Sequence, residues 1–245
     1  MNSKYKLLVC DVDGTITDNK KCIQTLGIET LRKVQDNGYT VSLCSGNVLP
    51  VAFGLSTFIG LKGPVIAENG GLVSYKEHIF QLHSDETAVK AFAYLKTKMP
   101  EVDRLFTDNW RKTEVAIKRS FDLDNVKEIL KDWKVEIEAT GFAIHLMEPG
   151  QSKVDGVRKA CEILGYDTSE VVAIGDSDND VKMLSQCGYG IAVGNASGPA
   201  KEAADYVSKA PHSEGVMEGL RQLGMLADVP ARMRRSIGAD ETSGI

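Results

Sequence analysis

The 245-residue sequence predicts an α/β protein: a Rossmann-like core with a parallel sheet, interrupted by an inserted α+β domain. Two observations predict the core. Apolar, strand-like runs at 6–10, 40–44 and 64–67 alternate with amphipathic segments on short connections. That is the rhythm of βαβ units, and so of a parallel sheet covered by helices. The rhythm returns after Pro149-Gly150, with 171–174 as a strongly apolar strand. A third observation predicts the insertion. Between the two stretches the strands are short and joined by hairpin signals such as Thr140-Gly141, which suit an antiparallel sheet.

The elements follow in order. Leu26, Ile28, Leu31 and Val34 are spaced as one face of a helix that stops at Gly38. Pro50 opens a second helix, to about Ile59. Gly70-Gly71 precedes two short strands, 72–75 and 78–82. A helix from Ser84 places Ala88, Ala91, Phe92 and Leu95 on one face and ends at Pro100. A strand at 114–117, a helix at 124–131 and a hairpin at 135–139 and 142–147 complete a sheet with one face covered by two helices. The core resumes with a helix at 152–164, the strand at 171–174 and a helix at 178–186. A strand at 190–193, a helix at 199–204, a short strand at 206–207 and a helix at 213–223 follow. Periodicity then ceases. The expected division is 1–82 and 152–225 for the core, 83–151 for the inserted domain and 226–245 for a flexible tail.

Composition narrows the function. The net charge is -5, and no basic run exceeds Arg234-Arg235, so nucleic acid is not an expected partner. No apolar stretch approaches the ~18 residues of a membrane span. The five cysteines are odd in number and lack a CxxC pair; Cys10 and Cys44 lie in apolar runs. They read as buried free thiols of a reducing compartment, and a cytoplasmic location is expected. His78, His83, His145 and His212 show no metal-ligand spacing. Composition sets no oligomeric state, and a homodimer stays open.

The chemistry lies at strand ends. The first strand runs into Asp11-Val12-Asp13-Gly14-Thr15, the second into Ser45-Gly46-Asn47, and that at 171–174 into Gly175-Asp176-Ser177-Asp178-Asn179-Asp180. Ligands of open α/β sheets bind beyond the carboxyl ends of the strands, so the three clusters are expected to share one crevice. There, Asp11, Asp13, Asp176 and Asp180 would repel one another unless a divalent cation joined them. An all-oxygen donor set suits Mg2+. Lys153, at the start of a helix, is the candidate counter-cation. Taken singly, each motif has an ordinary explanation as a turn, a helix cap or a solvated lysine. Jointly, in this order and at these termini, they do not. A calcium loop at Asp176–Asp180 is excluded, because the sixth and twelfth positions are Val181 and Cys187 rather than Gly and Glu.

The order Asp11-Val-Asp-Gly-Thr15, Ser45, Lys153, Gly175-Asp-Ser-Asp-Asn-Asp180 resembles the haloacid dehalogenase superfamily of phosphatases, and the insertion resembles its subclass with a large α+β cap. Within it, 41–50 and 63–71 are similar to the archaeal type of phosphoglycolate phosphatase. The resemblance implies that Asp11 attacks phosphorus and forms an aspartyl-phosphate, and that Asp13 serves first as acid and then as base. It implies Mg2+ held by Asp11, the Asp13 carbonyl and Asp176, with Asp180 acting directly or through water. It implies phosphoryl contacts from Ser45, Gly46 and Lys153, and an Asn179 that orients Lys153 or the Asp11 loop. The cap is expected to close over the site. The implied substrate is a small phosphomonoester, 2-phosphoglycolate.

Many cap-bearing sugar phosphatases place Arg after the Ser-Gly pair where this chain has Asn47, which weakens the alternative of a broad sugar-phosphate phosphatase without removing it. A phosphoryl-accepting receiver domain is the alternative from another class; it has no use for Asp13 and no cap of this size. A substrate carboxylate calls for a cation from the cap, and Arg104, Arg111, Lys112, Lys118 and Arg119 are available. The sequence does not say which of them points inward.

Overall fold

A computed structural model describes residues 4–226. The core strands are β1 (Leu7–Asp11), β2 (Thr40–Cys44), β3 (Val65–Ala67), β4 (Leu72–Tyr75) and β5 (His78–Gln81). The inserted segment supplies β6 (Glu114–Lys118), β7 (Glu136–Ala139) and β8 (Ala143–Met147). The core then adds β9 (Val171–Gly175), β10 (Tyr189–Ala192) and β11 (Tyr206–Val207). Eight strands form one sheet in the order β11-β10-β9-β1-β2-β3-β4-β5. It is parallel from β11 to β3, and β4 and β5 continue it antiparallel. Its central strands are buried on both faces, which is why they read as continuous apolar runs rather than as alternation.

The helices of the core are α1 (Thr25–Asp36), α2 (Leu49–Ile59), α5 (Lys153–Leu164), α6 (Val181–Gln186), α7 (Gly198–Ala203) and α8 (His212–Gln222); α3 (Glu86–Lys98) and α4 (Leu123–Ile129) belong to the insertion. The residues at 178–180, expected to open α6, form a separate 3₁₀ turn first. Leu226, assigned from sequence to the tail, is instead buried in the core. The rest of the expected tail, 227–245, lies outside the described residues.

The insertion builds its own antiparallel sheet, β6-β8-β7, and its own apolar cluster. Val115 and Ile117 of β6, Ile144 and Leu146 of β8 and Ile137 of β7 pack toward Leu95 of α3 and Val126 of α4. By the two-residue period of a strand, Glu114, His145 and Glu138 occupy the opposite face. Glu114 and His145 there are fully buried, so this polar face is covered rather than solvated. What covers it is the carboxyl end of the core strands, described next. Among the described residues, no helix is long and apolar enough to cross a membrane.

Candidate active site

β1 delivers the first carboxylate. Asp11 pairs in register with Cys44 of β2, and Cys10 with Ile174 of β9. The residues that follow these strands, Ser45 and Asp176, therefore emerge beside Asp11 at one end of the sheet, as the strand-end rule requires. The turn after Asp11 depends on Gly14. Its φ is +87°, and a Cβ there would stand 2.1 Å from Oδ2 of Asp176.

Lys153 is the first residue of α5, whose start is fixed by the Asp155 carboxylate accepting the Ser152 N–H at 2.9 Å. Its side chain is only 1% exposed, with Nζ 2.5 Å from Oδ1 of Asp11 and 2.7 Å from Oδ1 of Asp180. Oδ2 of Asp11 accepts the Thr15 hydroxyl at 2.8 Å. Oδ2 of Asp180 accepts the N–H groups of Asp176 and Ser177 at 2.9 and 3.0 Å. Asp180 is thus occupied on both oxygens.

One ammonium faces three carboxylates, and the pKa directions follow. Burial works against the charge of Lys153, but Asp11 and Asp180 outweigh it and hold the ammonium well above its ordinary range. Burial drives the Asp11 carboxyl well above its usual value; Lys153 opposes the rise, and Asp180 and Asp176 add to it. Burial, then Asp180, pushes Asp176 up to about 7. With all three carboxylates ionised, the site would carry more negative charge than Lys153 neutralises.

That excess, and one orphaned atom, fit a divalent cation. Asp11, Asp176 and Asp180 each bring a carboxylate oxygen within 4.8 Å of the others. Oδ1 of Asp176 is buried and accepts no hydrogen bond, a costly state for a carboxylate unless a cation meets it. The donors are all oxygen, as Mg2+ prefers.

Asp13 differs from expectation. Its carboxylate is not in the converging trio; Oδ2 accepts the Asn47 amide at 2.8 Å, at the edge of the cavity. Ser45 is buried, its hydroxyl accepting the Asn47 N–H at 3.0 Å, and Gly46 lines the cavity. Asn179 corrects the sequence reading. Its amide hydrogen-bonds neither Lys153 nor the Asp11 loop: it donates to Asn69 at 3.0 Å and accepts the Ser177 hydroxyl at 2.7 Å. Asp180 is the residue that holds Lys153.

The cavity has a volume of about 370 Å³ and is roofed by Thr140, Gly141 and Phe142 of the β7–β8 hairpin. Sequence reasoning named that hairpin but gave it no role. It also missed Lys21, the one lysine or arginine among the described residues lining the cavity, whose Nζ lies 5.0 Å from the Phe142 ring centroid. His212 lines the cavity too, with Nδ1 2.8 Å from the Gly14 carbonyl. Of the five cap cations, Arg111 alone is buried. It does not line the cavity; its Nη1 donates to the Gly46 carbonyl at 3.1 Å from behind. No local pattern in the sequence marks Lys21 or Arg111 as different from a surface cation.

The profile of the haloacid dehalogenase-like hydrolases matches residues 8–111 and 103–220. A Methanothermobacter thermautotrophicus protein named phosphoglycolate phosphatase is 37% identical over 217 residues, covering 89% of this chain and 98% of that one. A protein of the same name from Archaeoglobus fulgidus is 38% identical over 225 residues, covering 91% and 99%. A solved structure from Thermoplasma acidophilum superposes with a TM-score of 0.83 at 31% identity, covering 90% of this chain and 99% of that one. A subclass IIB sugar phosphatase shares the fold, with a TM-score of 0.76 at 21% identity, covering 90% and 99%.

Proposed function

The chain belongs to the haloacid dehalogenase-like hydrolases, and on that premise we propose that it is a Mg2+-dependent phosphatase that hydrolyses 2-phosphoglycolate through an aspartyl-phosphate on Asp11. The observation that carries this reading is the pairing of Asp11 with Lys153 beside the orphaned oxygen of Asp176, at the floor of a roofed cavity.

In the first step a carboxylate oxygen of Asp11 attacks phosphorus, and the bond to the ester oxygen breaks. Asp13 delivers a proton to the departing alkoxide. In the second step Asp13 takes a proton from water, the hydroxide attacks phosphorus, and the acyl-phosphate P–O bond breaks to restore Asp11. The amide of Asn47 positions Asp13 for both transfers. Lys153 holds one oxygen of Asp11 and leaves the other, on the Thr15 hydroxyl, to act. Asp11, Asp176 and the Asp13 backbone carbonyl would hold Mg2+, with Asp180 acting directly or through water while it also holds Lys153 and the loop. When bound, Mg2+ would neutralise charge on the nucleophile and the phosphoryl oxygens.

Phosphate-monoester hydrolysis needs accelerations of up to ~10²¹. Proton transfer accounts for only about 10²–10⁴ of this. The remainder falls to charge stabilisation and positioning, which a dry site strengthens. The roof of Thr140, Gly141 and Phe142 serves that exclusion of water.

Two features support 2-phosphoglycolate. The archaeal relatives carry that name, and the cavity presents Lys21 to a second anionic group. The test is steady-state turnover on 2-phosphoglycolate and a panel of sugar phosphates, with Mg2+ and with chelator. The reading predicts the highest kcat/KM on 2-phosphoglycolate, abolished by chelator. Higher values on several hexose phosphates would favour a broad sugar phosphatase instead.

A further inference from the structure

We propose that Glu114 of the cap is a positioning residue for the two core loops that carry the chemistry, so that catalysis requires the docked cap as part of its framework and not only as a lid. The inference rests on the phosphatase reading above.

The observations form one chain of hydrogen bonds. The Ser177 hydroxyl donates to Oδ1 of Asn179 at 2.7 Å, the Asn179 amide donates to Oδ1 of Asn69 at 3.0 Å, and the Asn69 amide donates to Oε2 of Glu114 at 2.9 Å. All three donors point the same way and end on a carboxylate, the arrangement in which neighbouring bonds polarise and strengthen one another. The other oxygen of Glu114 accepts Nη1 of Arg111 and Nδ1 of His145. Arg111 then reaches the Gly46 carbonyl. Glu114 thereby joins the acidic loop at Ser177–Asn179 to the phosphate loop at Gly46, two segments far apart in sequence.

A second clamp runs in parallel. Oε2 of Glu68 accepts the N–H groups of Lys112 and Thr113 and the Thr113 hydroxyl, each at 2.9 Å. The Glu68 N–H donates to the Asn47 carbonyl at 3.0 Å and the Asn69 N–H to the Ser45 carbonyl at 3.3 Å. Glu68 and Asn69 both have φ near +50°, in the left-handed region that non-glycine residues occupy only when their surroundings hold them there. The side chains of both are held by the cap segment 112–114, alongside the core bonds to their backbone. His145 completes the connection to the cavity, since Thr140 of the roof lies 3.1 Å from its Nε2.

Burial makes this network decisive rather than decorative. Glu114 and His145 are fully buried, and the Arg111 side chain is 1% exposed, its Nε and Nη2 making no hydrogen bond and Nε lying 3.8 Å from Oδ1 of Asp108. Groups buried this deeply have no water to re-pair them, so a change at Glu114 is transmitted through its hydrogen bonds to Gly46 and Asn179.

The test uses the full chain with 2-phosphoglycolate and, as an independent probe, 4-nitrophenyl phosphate. Glu114→Gln keeps the shape and removes the charge; Asn69→Gly keeps the left-handed backbone and removes the link to Asn179. Each is expected to lower kcat ~10- to 100-fold, the scale of a 1 Å misplacement of catalytic groups. The decisive readout is a double-mutant cycle of Glu114→Gln with Asn179→Ala, two residues that touch only through Asn69. The losses in kcat are expected to be non-additive, the double variant falling little below the worse single one. A merely structural role would reduce the folded fraction but leave the two losses independent. Independent losses, or a folded Glu114→Gln or Asn69→Gly enzyme within about threefold of wild-type kcat, would overturn the inference. If Glu114→Gln does not fold, Asn69→Gly decides alone. Wild-type protein that turns over neither substrate would instead overturn the phosphatase reading, and the inference with it.

Discussion

Lys153 places its ammonium 2.5 Å from Asp11, with a side chain that water barely touches. A buried ion pair broken by removing one partner leaves a charge uncompensated. Lys153→Met, which matches the stem but not the charge, is expected to destabilise the fold by about 3–5 kcal/mol in denaturant titration. It should also lower kcat by ~10²–10³, the range for losing one preorganised charge contact.

Gly14 and Asp176 supply a second prediction. A methyl group at Gly14 would occupy the place of the Asp176 carboxylate oxygen, on a backbone that only glycine adopts cheaply. Gly14→Ala is expected to raise the Mg2+ concentration for half-maximal activity ~10-fold or more, the scale of disturbing groups around a metal site. Thermal melts with and without Mg2+ check the cause. Wild type should gain Tm with Mg2+ by ligand linkage, and the variant should lose most of that gain.

Lys21 supplies a third. Its ammonium lies over Phe142 at the cavity wall, free to meet a substrate carboxylate. Lys21→Met is expected to raise KM for 2-phosphoglycolate ~10-fold, about the worth of one charge-assisted contact. KM for ethyl phosphate, which has no carboxylate, should hardly change. Equal shifts for the two substrates would assign Lys21 to the phosphate or to the loop.

Glu138 gives a pH prediction. Burial, then Glu136, pushes its carboxyl up to about 7, against the opposing pull of Lys182 and Lys153. A raised carboxyl stabilises the fold fully below its unfolded pKa near 4.5, and the contribution is lost as pH rises through about 7. Glu138→Gln removes that loss. The stability difference in favour of the Gln variant, read by denaturant titration at each pH, is therefore expected to grow from pH 4.5 to about 7 and then level off, reaching a few kcal/mol at most. A difference that stays flat across that window would contradict the assignment.

The core was legible because its strands are buried on both faces and end in polar turns, two features that survive in one dimension. Asp11, Asp176, Asp180 and Lys153 converge as those strand ends require. The polar face of the cap sheet was not legible. Glu114, His145 and Glu138 alternate with Val115, Ile144 and Ile137 as any half-solvated strand would, and only docking against the core turns that face into a buried network. Arg111 was visible merely as one of five cap cations, because burial of a long side chain depends on partners distant in sequence. Asn179 was misassigned for a related reason: its partner, Asn69, sits at positive φ in a turn distant in sequence, which nothing local to Asn179 marks.

Asp11 is expected to become phosphorylated during turnover. Rapid acid quench of the enzyme with 2-phosphoglycolate and Mg2+, followed by peptide mass analysis, tests it directly. A phosphoryl group is expected on the peptide containing Asp11, formed within one turnover and absent from Asp11→Asn. An enzyme that turns over 2-phosphoglycolate while its Asp11 is never phosphorylated, or an Asp11→Asn variant with undiminished kcat, would contradict it.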